Sequence, residues 1–391
     1  GFIIIFKKYS SISLATRILI WMVIGGIIGG IVGEPAASIK PIGDIFINLL
    51  LMAAIPLVFF NLLAGLTSMS DVRSFGKTGI KVIFYYLITT SIAITVGILI
   101  MSMVKAGNGF DLTSEVPENI GVAPNLLDII MSLFPSNIFE SFAQGNLIHI
   151  VIFGLMIGIT TLTLPKPKKE KLEELFQLFA ELMRKLVDLI MYLAPLCLGA
   201  LAAATIGEYG SKIMGPLLKF IGGVYTAQIL MIFFYMLLLY FIGKVSPLWF
   251  LKKTSTLYYT TIATCSSLAS LAVSLKIAET KLQLPKKIYG FTLPLGAQFN
   301  KDGTAIMLSA VLIFTAQAVG WQLTLFDINQ VIIVGLIVVE GSGGIPGGGL
   351  VVAMIFAKAF NLPLEVVAVV GGIYRLIDMG NTTVNCMGDL V

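Results

Sequence analysis

The chain has 391 residues, of which 57% are hydrophobic and only 12% charged, against roughly 25% charged in an ordinary globular domain, and its mean hydropathy is +0.96. That composition excludes a soluble fold. Lys and Arg number 26 against 21 Asp and Glu, a net charge of +5, yet the cations sit between long apolar runs rather than on one patch, which argues against nucleic acid as a partner. Three cysteines, Cys197, Cys265 and Cys386, lie in apolar stretches with no C-x-x-C pair, and His149 is the single histidine, so disulfide scaffolds, zinc fingers, iron–sulfur centres and multi-His metal sites are out. Residues 2–6 form a short apolar patch followed by Lys7 and Lys8, which does not read as a cleavable secretory signal.

About 20 apolar residues are needed to cross a bilayer core as a helix. Six uninterrupted runs of that kind are expected near 14–33, 43–67, 82–104, 144–163, 174–206 and 214–243. Beyond 245 the apolar segments are interrupted by Thr264-Cys265-Ser266-Ser267, by Asn300-Lys301-Asp302-Gly303-Thr304, by the stretch 341–349, and by a polar piece from Asp378 to Asn385. Nine residues holding six Gly and one Pro, as 341–349 does, contain too many helix breakers for a packing helix, so a hairpin tip is expected there.

Loop charge favours a cytoplasmic N-terminus: Lys7, Lys8, Arg17, Arg73, Lys77, the basic run 166–171 and the lysines at 252–253 and 276–287 then fall on one side. The acidic loop with Asp111, Glu115 and Glu118 falls on the other. This split is coherent only if 250–275 and 330–360 each enter and leave by the same face, as re-entrant hairpins that line an internal site. The region 245–391 also reads as two similar halves, each a hairpin followed by a helix broken near an Asn, the internal symmetry that marks transporter binding sites.

Asp302, Asp378 and Asp389 stand in or beside apolar segments where a charge costs about 2.5–3.5 kcal/mol, so each requires a cation or donors. Carboxylates, Asn amides and freed carbonyls are the oxygen ligands that a hard cation such as Na⁺ takes. The Ser266-Ser267 tip and the 341–349 run expose backbone N–H groups suited to a carboxylate. His149, with no carboxylate in register, reads as a hydrogen-bonded helix residue rather than a proton relay.

Three motifs in order, Asn300-x-Asp302-Gly303-Thr304, Gly344-Ile345-Pro346-Gly347 and Asp378-Met379-Gly380 followed by Asn385 and Gly388-Asp389, resemble the dicarboxylate/amino-acid:cation symporters, the glutamate transporter family. The resemblance covers nearly the whole chain. It implies an all-α membrane protein of eight transmembrane helices plus two re-entrant helical hairpins, built as inverted repeats and working as an elevator. The division it implies is a scaffold at 1–81 and 105–206, and a transport domain at 82–104, 207–244 and 245–391. It further implies a homotrimer in the cell membrane, an amino-acid substrate and coupling to Na⁺ or H⁺.

By family role, Asp378 takes the substrate amino group and Asn385 its α-carboxylate, with Ser266, Ser267, Thr304, Ile345, Gly347, Asn381 and Thr382 completing the substrate site. One sodium site uses Asp389 with backbone at Asn300 and Asn385, a second uses Tyr86, Thr89, Thr90, Asn300 and Asp302, and a third is mainly backbone carbonyl.

Three departures stand out. Asn381 occupies the position where carriers of acidic substrates place an Arg, and Cys265 stands where some relatives carry an Arg before the serines; Arg375, roughly 120° away around a helix, does not simply replace that fork. A neutral or polar amino acid is therefore the leading substrate, narrowly ahead of glutamate or aspartate reached through Arg375 or a water. Lys301 replaces a Met and Glu340 an apolar residue, and the expectation is that they pair beside the carbonyl site, a tethered ammonium standing in for one sodium. Leu308 lies where proton-coupled animal relatives carry a Glu, so Glu340 is the candidate proton carrier. An intramembrane aspartyl protease lacks its Y-D and G-x-G-D contexts here, and a passive anion channel is the milder rival.

Overall fold

The computed structural model describes residues 14–67, 72–110, 135–144, 147–210, 214–340, 348–371 and 373–391, and these contain helices and no strands. In chain order the elements are α1 (Leu14–Val32), a 3-10 turn (Glu34–Ile39), α2 (Lys40–Thr67), α3 (Val72–Val104), α4 (Ile138–Gln144), α5 (Leu147–Thr163), α6 (Lys166–Met191), α7 (Ala194–Tyr209) and α8 (Met214–Phe241). The second part holds α9 (Pro247–Thr264), α10 (Ser267–Thr280), α11 (Lys286–Phe299), α12 (Asp302–Ala318), α13 (Leu325–Glu340), α14 (Gly348–Ala359), α15 (Leu364–Gly371) and α16 (Tyr374–Leu390).

Two helical stretches among the described residues, Lys81–Val104 and Met214–Phe241, are long and apolar enough to span a membrane on their own. The expected single run 174–206 is instead two helices, α6 and α7, bent by 54° at the junction before Pro195. The physical cause is Pro195 near the start of α7, which cannot donate into the preceding turn. Rows of large apolar side chains face outward, Val23, Ile27 and Ile31 on α1 and Ile229, Phe233 and Phe241 on α8. A water-facing surface of that kind is rare, whereas lipid accepts it.

The helices sort into a frame and a core. In the frame α1 packs along α7, and α2 packs against α5, α6 and α7. The first pair crosses with backbones almost touching: a Cβ on Gly25 would stand 2.0 Å from the Gly199 carbonyl oxygen, and one on Gly29 2.2 Å from that of Ala203. Small residues at such a crossing are what lets helices associate where no hydrophobic force distinguishes neighbour from lipid.

The core is organised by α12, whose residues 302–316 are buried without exception, wrapped by α3, α8, α14 and α16. Helices α9 and α10 fold back on one another around Cys265 and pack on α16, with Lys281 Nζ reaching the Thr256 hydroxyl at 3.0 Å. Between frame and core runs an apolar seam, with Gly65 of α2 against the Phe299 ring. A cavity of about 290 Å³ opens on it, lined by Leu62, Leu66, Leu155, Tyr86, Phe299 and Ile337 among others. His149 bonds Ser141 at 2.8 Å, the structural role expected of it.

The symmetry expected of the two halves is only partly realised. The first helix break does fall at an Asn, between α11 and α12, where Asn300 is extended. The second falls after Gly371, and the polar piece Asp378 to Asn385 is continuous helix inside α16. Its polarity lies on one helical face rather than in a loop, a pattern that a search for interruptions mistakes for a break.

Candidate functional site

The site forms where α16 crosses the break between α11 and α12. Two helix ends meet there, and their dipoles present opposite signs. Asp302 stands in the first turn of α12, at the positive end, while Lys301 reaches back to the negative end of α11, its Nζ donating to the Ala297 carbonyl at 2.7 Å and the Asn300 carbonyl at 3.2 Å. Asn385 of α16 completes the junction: its Oδ1 accepts the Gly303 N–H at 2.7 Å, satisfying one of the donors that the start of α12 leaves open.

Asp302 is 0% exposed, and its two oxygens accept from Thr90 at 2.6 Å and Tyr235 at 2.5 Å, so α3 and α8 both supply a hydroxyl to it. Thr89 is buried next to Thr90, and its hydroxyl donates to the Tyr86 carbonyl at 3.2 Å. On the other side of the junction Asn300 Nδ2 donates to Asp389 Oδ1 at 2.9 Å and to the Asn385 carbonyl at 3.2 Å. Tyr86 and Asp389 converge as well: a Cβ on Gly296 would lie 2.6 Å from the Tyr86 hydroxyl and 2.3 Å from Asp389 Oδ1. All of Tyr86, Thr89, Thr90, Asn300, Asp302, Asn385 and Asp389 are thus brought into one cluster.

The donor set fits a hard monovalent cation. Asn300 Oδ1 is buried with no hydrogen-bond partner, a carbonyl-type oxygen left open beside two carboxylates and the freed carbonyls of the helix break. Burying an amide oxygen without a partner costs about 1–3 kcal/mol, which a bound cation repays. A hard cation is the ligand this chemistry suits.

A second cluster lies one to three turns toward the start of α16. Arg375, Asp378, Thr382 and Asn385 recur at i, i+3, i+7 and i+10, hence on one face, and all are buried. The α9–α10 tip sits over them. Cys265 turns it with φ 46°, Ser266 caps α10 by accepting the Ala269 N–H at 3.2 Å, and Arg375 Nη2 reaches the Thr264 carbonyl at 3.5 Å. Asp378 and Arg375 both lie within electrostatic reach of Cys265, and Thr261 bonds Thr383 at 2.8 Å to pin the hairpin to α16. From the other side Gly349 of α14 abuts Thr304 and Tyr374. Ser266 thus stands at the tip, Asp378 within electrostatic reach of Cys265, Thr304 beside Gly349 and Asn385 on the Gly303 N–H; Ser267 and Thr382 are buried, while Ile345 and Gly347 lie outside the described residues.

Two further expected residues have these surroundings. Asn381 is fully buried and turned away toward α8, its Oδ1 accepting from Gln228 Nε2 at 2.8 Å and its Nδ2 facing Met307 Sδ at 3.6 Å. The Lys301 ammonium lies on the carbonyls of its own helix break; the side chain of Glu340, its expected partner, is outside the description. Sequence reasoning missed Tyr235, Gln228 and Tyr225, the last donating to the Leu376 carbonyl at 2.5 Å. The signal was present: each is a polar group isolated in the apolar run of α8, and Gln228 is the one side-chain amide in that helix.

Comparison with known proteins identifies the family. Residues 14–391 match the sodium:dicarboxylate symporter family. The chain is 30% identical over 385 residues to the proton/glutamate-aspartate symporter of Bacillus subtilis (strain 168), covering 97% of this chain and 92% of that one. It is 32% identical over 397 residues to the proton/sodium-glutamate symport protein of Geobacillus stearothermophilus, with 97% and 92% covered. A C4-dicarboxylate transport protein of Bacillus subtilis (strain 168) is 28% identical over 385 residues, with 96% and 91% covered. With the family match spanning nearly every residue and both polar clusters assembled, the chain belongs to the sodium:dicarboxylate symporter family and is an integral-membrane transporter, not an enzyme.

Proposed function

We propose that the protein moves an amino acid together with Na⁺ or H⁺ across the cell membrane, the core travelling against the frame as an elevator. The single observation that carries this reading is the adjacency of two polar clusters along α16, a cation-binding set at Asn300, Asp302 and Asp389 and a zwitterion-binding set at Asp378 and Asn385, joined through Asn385. Asp378 takes the substrate ammonium and Asn385 with the Ser266-Ser267 tip its α-carboxylate. One residue serving both sites makes substrate and cation affinities mutually dependent, which is the thermodynamic requirement for symport.

The transport core comprises α3 and α8–α16, the frame α1, α2 and α5–α7, and the apolar seam between them supports a sliding interface. Hairpins at α9–α10 and α13–α14 act as re-entrant gates, three copies assemble through their frames, and the N-terminus is cytoplasmic.

The substrate is a neutral or polar amino acid. Asn381 brings no charge, and with its amide committed to Gln228 it offers no fork for a side-chain carboxylate. The competing reading, an acidic substrate, has a specific observation behind it: Arg375 is buried on the substrate face, and the relatives above are named for glutamate, aspartate and C4-dicarboxylates.

Reconstitution into liposomes tests both. Labelled serine, alanine, asparagine, aspartate and glutamate are offered with an inward sodium or proton gradient. Concentrative uptake of a neutral amino acid supports the reading; uptake of aspartate or glutamate that is lost in Arg375→Gln favours the competitor. Flux that only equilibrates identifies a passive channel.

A further inference from the structure

One end of the core carries a positive charge that no carboxylate answers. The short links 242–246 and 281–285 join α8 to α9 and α10 to α11, and because α9 and α10 fold back on one another, both links lie at the same end, tied by Lys281 Nζ on the Thr256 hydroxyl at 3.0 Å. Between residues 242 and 290 the sequence has seven lysines and a single acid, Glu279. Lys244, Lys252, Lys253, Lys276, Lys281 and Lys286 are exposed, and no carboxylate among the described residues forms an ion pair with any of them. The other basic stretch, at the start of α6, differs: Glu170, Glu173 and Glu174 are interleaved with its lysines or follow them within a turn, and Lys166 Nζ lies 3.8 Å from Glu170.

Beside these lysines the surface is apolar. Ile242 is 76% exposed, Leu248 79% and Trp249 43%, and the Lys253 ammonium sits over the Trp249 ring, 5.8 Å from its centroid. Exposed aliphatic side chains suit acyl chains, an indole sits at the headgroup level, and lysines bordering such a surface keep their ammonium groups in the headgroup layer. We propose that this end of the core is a docking surface for anionic phospholipids: the lysines bind the headgroup phosphates while Ile242, Leu248 and Trp249 pack on the adjoining chains. Charge complementarity selects this occupant, because an unpaired cationic rim bordered by apolar side chains matches an anionic headgroup together with its chains, whereas a soluble phosphate engages the lysines alone. The surface belongs to the core and not to the frame, so a bound lipid holds the part that slides; that consequence rests on the transport reading above, whereas lipid binding itself does not.

Trp249 reports on its own surroundings. With Trp21→Phe and Trp321→Phe it is the only indole left, and its fluorescence is followed in phosphatidylcholine vesicles that contain a small fraction of brominated phosphatidylglycerol or, in parallel, of brominated phosphatidylcholine. The ratio of the two quenching efficiencies gives the enrichment of the anionic lipid for each variant separately. That enrichment is expected to be at least about fivefold at low ionic strength, the factor that one lysine near an anionic surface is worth. Lys252→Gln/Lys253→Gln is expected to lower it about fivefold or more, and Lys252→Arg/Lys253→Arg, which keeps the charge, to preserve it. If the single-tryptophan background fails to fold, the same comparison between the parent chain and the Gln pair decides the matter. Equal quenching by the two brominated lipids, or a preference that the Gln pair leaves intact, would overturn the proposal. So would complete loss of the preference on adding inorganic phosphate at constant ionic strength, which identifies a soluble-phosphate site instead. If liposome uptake only equilibrates while the lipid preference stands, the symport reading falls and the docking surface remains.

Discussion

Gln228 and Asn381 form a buried amide pair whose energetics follow from a short inventory. Asn381 Oδ1 has one hydrogen bond, from Gln228 Nε2 at 2.8 Å, and Gln228 Nε2 has a second, weaker contact to the Ile377 carbonyl at 3.4 Å. Gln228 Oε1 is buried with no hydrogen bond, and Gly380 leaves it room: a Cβ there would fall 2.0 Å from it. Gln228→Met keeps the volume and strands the Asn381 oxygen, a loss of about 1–3 kcal/mol. Asn381→Leu strands the Gln228 N–H and costs a similar amount. The double variant removes both partners and is close to neutral, so the single losses cancel instead of adding, with a coupling energy equal to their sum, about 2–6 kcal/mol. Equilibrium unfolding of the purified variants in mixed micelles measures it. The same four proteins are then screened for stabilisation by the amino-acid panel. If the single losses add to within about 0.5 kcal/mol, or if Asn381→Leu abolishes amino-acid binding while Gln228→Met leaves it intact, the amide faces the substrate instead of α8 and the reasoning fails.

Other outcomes follow from the same geometry. Asp302→Asn keeps the shape of the cluster and deletes a charge; at an effective dielectric of about 20 and a separation of about 4 Å that charge is worth about 4 kcal/mol, so sodium affinity measured by calorimetry falls by about 10³-fold. A change under tenfold would remove Asp302 from the cation site. Gly388→Ala places a Cβ 2.6 Å from the Tyr235 hydroxyl and 2.7 Å from Asn300 Nδ2, overpacking that costs about 1–3 kcal/mol; sodium-dependent protection of α16 should weaken, and unperturbed binding would show that the crossing is looser than described. Ser266→Ala removes the α10 cap and about 0.5–2 kcal/mol, read as faster amide exchange confined to the first turn of α10, with Ser266→Gly milder.

Much of this protein was legible before any coordinates. Hydropathy alone required a membrane helical protein, since an unbroken apolar run of 20 or more residues has no other stable environment. Isolated aspartates and asparagines in such runs read as functional, because their desolvation must be repaid, and the structure brings Asn300, Asp302, Asn385 and Asp389 together. What lay beyond one-dimensional reading were the partners supplied from distant helices. Tyr235 looks like any aromatic in an apolar helix until α8 is laid against α12 and its hydroxyl meets Asp302. Asn381 is placed at the substrate site by the family resemblance, and only the fold shows that its rotation about α16 sets its amide against Gln228, a residue 153 positions away. Lys301 shows the division most clearly. Its charge in an apolar segment called for compensation from composition alone, whereas the seat of its ammonium on the Ala297 and Asn300 carbonyls depended on where α11 ends, which only the tertiary fold determines.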